Sequence, residues 1–96
     1  MEEHDFGWAI RQLKNNKKVS RSGWNGKGMY LVLMDGYPST VANAMTRQKH
    51  GLNEGDTVTI NPYIVMKTAT GDLQPGWLAS QTDMLSSDWD IVLWTY

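Results

Sequence analysis

The chain has 96 residues, 41% of them hydrophobic, with no cysteine, five tryptophans and a formal net charge of -1. That length fits one compact domain, 1–96, and rules out a two-domain enzyme. The absence of cysteine removes any disulfide framework or thiolate metal site.

The longest apolar run, Met29 to Met34, is far shorter than the roughly 20 residues of a membrane span. The acidic start Glu2-Glu3-His4-Asp5 lacks the basic-then-apolar order of a secretion signal, so the expectation is a soluble cytoplasmic protein. A chain this short buries only about 60 to 70% of its unfolded surface, and association with further copies would add to that. Charge is uneven along the chain. Arg11 to Lys27 holds six bases and no acid, whereas after Lys67 come Asp72, Asp83, Asp88 and Asp90 with no base. The basic segment is either a solvated face or faces an anionic ligand or a neighbouring subunit. A pI near 6.0 argues against long nucleic acid as a partner.

Asp5 is placed to cap a first helix, because Phe6, Ala9, Ile10 and Leu13 recur at helical spacing and form one apolar stripe ending near Asn15-Asn16. Trp8 lies about 200° from Phe6 around that helix, so it marks either a second contact surface or a site that a loop folds over. Lys17 to Arg21 reads as a strand. Ser22 to Gly28 is a glycine-rich loop leading into the strand Met29 to Met34, whose unbroken apolar run predicts burial on both faces. Asp35-Gly36-Tyr37-Pro38 breaks that strand. Ser39 or Thr40 can open a brief helix with Val41, Ala42, Ala44 and Met45 turned inward.

Thr46 to Asp56 is polar, contains Gly51 and Gly55, and reads as the most mobile stretch. Thr57 to Ile60 alternates as a strand does, and Tyr63 to Thr68 and Leu73 to Leu78 form a hairpin about Ala69-Thr70-Gly71-Asp72. Ser80 or Thr82 opens a short helix through Met84-Leu85 with Asp83 in its first turn. Trp89 to Tyr96 is a last strand whose two faces both need cover, one from the first helix and one from another subunit. The fold class is α+β: an antiparallel sheet with an N-terminal helix and one or two short helices on one face.

Two constellations bear on chemistry. Gly23-Trp24-Asn25-Gly26-Lys27-Gly28 fails as a P-loop: two residues stand where four are required, no hydroxyl follows the lysine, and a strand follows instead of a helix. It is either a plain turn or a loop whose amides approach a ligand, with Trp24 stacking on a base and Lys27 meeting a phosphate. Gly76-Trp77-Leu78-Ala79-Ser80-Gln81-Thr82-Asp83-Met84, followed by Asp88-Trp89, sets an aromatic ring ahead of short polar side chains at a strand-to-helix junction. Those groups suit either a capped helix or hydrogen bonds to a ribose or a base edge. Catalysis has little support. His4 and His50 are isolated, which argues against both a nucleophilic triad and a metal site. Asp83 and Asp88 would be the carboxylates of a hydrolase, and charged helix caps are the simpler account of them.

Together these segments resemble the small phage and prophage proteins of the second Thoeris anti-defence family, over Phe6 to about Leu93. The resemblance implies a non-catalytic sponge without cofactor or metal. Such proteins bind the cyclic ADP-ribose isomers made by TIR-domain sensors, chiefly the 1''–3' glycocyclic form, and are associated with cyclic dinucleotides at separate sites. It also implies a homotetramer with ligand pockets between adjacent subunits. On this reading Trp24 and Trp77 stack on bases, while Asn25, Gly26, Ser80 and Gln81 supply hydrogen bonds. Arg21 and Lys27 meet the pyrophosphate, and Leu78, Ala79 and Met84 line the wall. Asp83 either accepts from the ligand or fixes the loop. Trp8 and Trp94 are assigned to subunit contacts and Trp89 to the core. The competing readings are a hydrolase of the cyclic nucleotide and a structural interaction module.

Overall fold

The computed structural model describes residues 3–40 and 44–93. Helix α1, Phe6–Lys14, starts where the Asp5 carboxylate accepts a hydrogen bond from the Trp8 amide at 2.8 Å, and it ends at Asn15. The strands are β1 (Lys18–Arg21), β2 (Tyr30–Met34), β3 (Tyr37–Thr40), β4 (Thr57–Ile60), β5 (Tyr63–Lys67), β6 (Leu73–Pro75) and β7 (Trp89–Val92). Helices α2 (Ala44–His50) and α3 (Gln81–Leu85) complete the described elements. Five strands form one antiparallel sheet in the order β6-β5-β2-β1-β7, and β3 and β4 pair as a separate two-stranded arm. The fold is α+β.

The register explains which residues become core. Val19 of β1 stands opposite Leu31 of β2 and Ile91 of β7, and Leu31 stands opposite Met66 of β5. This cross-strand row faces α1, where Ala9 and Leu13 meet Val19, Leu31 and Trp89 in one buried cluster. On the other side of the sheet the corresponding row runs Val92, Lys18, then across β2 to Val32, Val65 and Pro75. There only Lys18 and Val65 are buried, and Met34 and Leu73 are largely exposed. Among the described residues the Met29 to Met34 run is therefore covered on one face, not on both as its composition predicts. Lys18 and Lys67 place their ammonium groups 4.6 and 5.5 Å from the centre of the Tyr30 ring on this open side.

Trp8 corrects the helix-face reading. It is 3% exposed and belongs to the core instead of projecting as a contact surface. The residues before α1 fold back over it: the His4 ring stacks on the indole at 3.8 Å, nearly parallel, and His4 Nδ1 meets the Trp89 carbonyl at 3.0 Å. The buried arc of α1 is thus wider than its aliphatic stripe, centred on Ala9 and Leu13 with Trp8 at one margin.

The second helix also differs from expectation. It occupies Ala44–His50, beginning in the expected brief helix and running on into the Thr46 to Asp56 segment read as polar and mobile, and Met45 is 68% exposed instead of inward. Val41, Ala42, Trp94 and Tyr96 lie outside the described residues. The last strand is described as far as Val92, and Leu93 beyond it is exposed.

No helix among the described residues is long and apolar enough to cross a membrane. Leu31 sits fully buried on the central strand, so Leu31→Ala should cost about 2 to 5 kcal/mol. A urea melt should show this as a lower midpoint at an unchanged slope.

Candidate functional site

The two constellations separated by some fifty residues meet at one end of the sheet. Arg21 ends β1, the loop from Ser22 follows it, α3 packs beside α1, and β7 runs antiparallel to β1 with Arg21 opposite Trp89. The local chemistry fixes α3 first. The Ser80 hydroxyl accepts from the Asp83 amide at 3.1 Å, and the Asp83 carboxylate accepts from the Ser80 amide at 3.0 Å, a reciprocal cap for a five-residue helix.

Around that cap the ionic groups converge. Arg21 Nη1 donates to Asp83 Oδ1 at 2.7 Å, Arg21 Nε donates to Asp88 Oδ1 at 2.9 Å, and Nη2 reaches Asp88 Oδ2 at 3.5 Å. The Arg21 and Asp83 side chains are each 11% exposed. Trp24 Nε1 donates to the same Asp83 Oδ1 at 3.2 Å. Asp88 Oδ2 also accepts from the Gly23 amide at 2.8 Å and the Ser22 hydroxyl at 3.3 Å. The basic segment therefore meets the acidic C-terminal segment of its own chain at Arg21.

Glycine is required in this loop for close approach. A Cβ on Gly23 would stand 2.8 Å from Asp88 Oδ2, and one on Gly26 would stand 2.5 Å from the Ala69 Cβ and 2.6 Å from the Met29 sulfur. Gly26 thus packs the loop against the β5–β6 turn.

Three indoles form the aromatic part of the site. Trp89 is 1% exposed and donates its Nε1 to the Asp83 carbonyl at 3.1 Å. Trp24 and Trp77, both half-buried, stand edge-on to it at 5.4 and 6.3 Å between ring centres and edge-on to each other at 6.4 Å. Each outer ring is held by its contacts with the others while part of it still reaches solvent. Trp89 belongs to the core, as its strand pattern predicts.

Arg21, Trp24, Trp77, Ser80 and Asp83 are brought together, while Gly26 packs on Ala69 and Met29 and Ala79 is half-buried. Asn25 and Lys27 of the loop and Gln81 of α3 are exposed. Leu78, at 88% exposure, and Met84 are exposed as well. Asp88, read above as a candidate hydrolase carboxylate, and Gly23, the first glycine of the loop motif, enter the site as partners of each other and, through Asp88, of Arg21. Clefts of about 370 and 520 Å³ lie on the open sheet face, lined by residues such as Tyr30, Val65 and Lys67 and by none of the three indoles.

Burial pushes the Asp83 carboxyl up, but the hydrogen bonds from Arg21, Ser80 and Trp24 outweigh it and hold the group below the ordinary carboxylate range. Asp88 is held low chiefly by Arg21, against a smaller cost of burial, with help from the Gly23 amide and Ser22. Both folded values lie below 3.8, the ordinary one, so the unfolded chain binds more protons in acid. The stabilisation these groups give is whole above that value and is lost as pH falls through the folded ones. Urea midpoints should therefore drop on acidification below pH 3.8, and Asp88→Asn should flatten that drop; an unchanged acid dependence in the variant would contradict the assignment.

Residues 4–92 match the model of the Thoeris anti-defense 2-like domain. The chain is 38% identical over 90 residues to Thoeris anti-defense 2 of Bacillus phage SP01, an overlap that covers 91% of this chain and 92% of the phage protein. The matched span includes β1, the glycine loop, α3 and β7, the elements that build the indole and ion-pair site. With a family model matched across nearly its whole length and a phage relative at this identity, the chain belongs to the Thoeris anti-defence 2 family, and its role is phage anti-defence.

Proposed function

We propose that the protein is a single-domain sponge that sequesters a cyclic ADP-ribose signal, of the 1''–3' glycocyclic type, in the cytoplasm of the infected cell without cleaving it. The observation that carries this reading is the pair of half-buried indoles, Trp24 and Trp77, anchored edge-on over Trp89 between two rims of polar groups. An adenine stacks on such rings, and base–aromatic stacking contributes about 1 to 3 kcal/mol per base in single-stranded complexes. Asn25 and the Gly26 backbone on one rim, and Ser80 and Gln81 on the other, offer hydrogen bonds to the riboses and the base. Lys27 is the exposed cation nearest in sequence to Trp24 and serves the pyrophosphate. Ala79, Leu78 and Met84 supply apolar contact.

One feature supports sequestration over turnover. Asp83 and Asp88 are both bound to Arg21 and held in the ionised form, which leaves neither poised as a general acid or base near neutral pH.

The pocket is shared in a homotetramer on this reading. Leu78, Met84 and Leu85 are exposed, and the sheet face opposite α1 leaves Met34, Leu73 and the half-buried Tyr30, Val32 and Tyr63 without a covering element among the described residues. Val92 belongs to that face, so the outer side of the last strand remains part of the assembly surface, while Trp8 does not. Light scattering at micromolar concentration should give four times the 10.9 kDa chain mass, and a mass of one chain would overturn the assembly.

The functional test is capture and release. Protein mixed with the cyclic ADP-ribose isomer, freed of unbound ligand and then heat-denatured, should return the nucleotide intact. Trp24→Ala and Trp77→Ala should abolish capture while leaving the oligomer in place. Recovery of linear ADP-ribose would indicate a hydrolase, and recovery of no nucleotide an interaction module. The same procedure with cyclic dinucleotides tests for capture of a second ligand class.

A further inference from the structure

We infer that Arg21 is a positioning residue of this site and not a ligand of the nucleotide: it sets the spacing of the two rims by tying the Trp24 loop to α3 and β7. The inference rests on the sponge reading for its functional consequence and on geometry for its structural part. All three guanidinium nitrogens of Arg21 are engaged, Nη1 with Asp83 and Nε and Nη2 with Asp88. One guanidinium between two carboxylates leaves the group with a net negative charge. These contacts use three of the five guanidinium N–H groups, and a pyrophosphate placed on the other two would sit beside both carboxylates, so the group repels the anion it was expected to bind.

The same contacts give Arg21 another task. Asp83 Oδ1 receives both Arg21 Nη1 and Trp24 Nε1, so the carboxylate that anchors the arginine also fixes the direction of the indole ring. Asp83 belongs to the cap that starts α3, and its carbonyl holds the buried Trp89 indole. Asp88 takes the Gly23 amide at the root of the loop. A single side chain from β1 therefore joins the loop that bears Trp24, Asn25 and Lys27 to the helix that bears Ser80 and Gln81. Displacement of a binding group by about 1 Å is enough to lose much of its interaction, which is how a residue that does not touch the ligand controls affinity.

The indole Nε1–H resonances of the ligand-free, isotopically labelled protein test this together with nucleotide retention. The Trp24 signal is assigned by its loss in Trp24→Phe. Arg21→Met should move the Trp24 signal and lower retention of the cyclic ADP-ribose isomer on the order of tenfold to a hundredfold. Arg21→Lys, which keeps the charge without the fork, should fall between Arg21→Met and the parent protein in both readouts.

Arg21→Lys serves by itself if Arg21→Met does not fold, because Asp88→Asn would also loosen the Gly23 amide at the root of the Trp24 loop. A loss of retention with the Trp24 signal unmoved would make Arg21 a direct ligand and overturn the inference, as would full retention in Arg21→Met. If the parent protein retains no cyclic nucleotide, the sponge reading fails by itself, and the indole signals of the same variants still decide whether Arg21 orients Trp24.

Discussion

The guanidinium of Arg21, shared between Asp83 and Asp88, is the constraint on which the organisation of this protein depends. It joins the end of β1 to residues more than sixty positions later in the chain, and it does so at low exposure, where a charge left without a partner would be costly. Its geometry accounts for features that look independent in one dimension. Gly23 is glycine because the Asp88 carboxylate occupies the space of a Cβ, and Trp24 points as it does because its Nε1 shares an oxygen with Arg21. The short helix α3 begins where it does because Asp83 both caps it and receives the arginine.

Burial of aromatic surface supplies the complementary support. Trp89 lies beneath Trp24 and Trp77 and beside Phe6, so α1, the glycine loop, the segment after β6 and β7 all contribute a ring to one network. Edge-on packing lets each outer indole be immobilised along one side while the rest stays accessible, which is what a stacking surface for a planar ligand requires. A five-residue helix and a glycine loop have little intrinsic order, and here both are held by a fully buried indole and an ion-pair network. The opposite face of the sheet has no such cover among the described residues. A small domain that leaves Tyr30, Val32 and Tyr63 half-buried there is suited to finding its remaining burial in other copies of itself.

The proposed sponge role gives the site geometry its rationale. An anti-defence protein that acts by capture needs a preorganised surface and no reacting group. The carboxylates that would serve a hydrolase are instead engaged as partners of an arginine. What the chain invests in ionic groups goes into fixing the positions of rings and rims.

Local chemistry written into the sequence was enough for the α+β class, the Asp5 cap, the hairpin about Ala69 to Asp72, the Ser80 and Asp83 cap and the core position of Trp89. Each depends on residues within a few positions of one another, and so did the recognition of the two motifs by their residue types. Long-range placement was not legible there. Trp8 sits on a polar helix face and is nevertheless buried, because His4 folds back to stack on it. The Met29 to Met34 run is apolar throughout although the described residues cover only one side, because apolar composition does not say where the second cover comes from. Arg21 reads as a phosphate ligand by residue type and becomes a structural tie, because only the antiparallel pairing of β1 with β7 brings the two aspartates to it. Sequence determines which groups are available, and the tertiary structure decides which of them satisfy one another and which remain for a ligand.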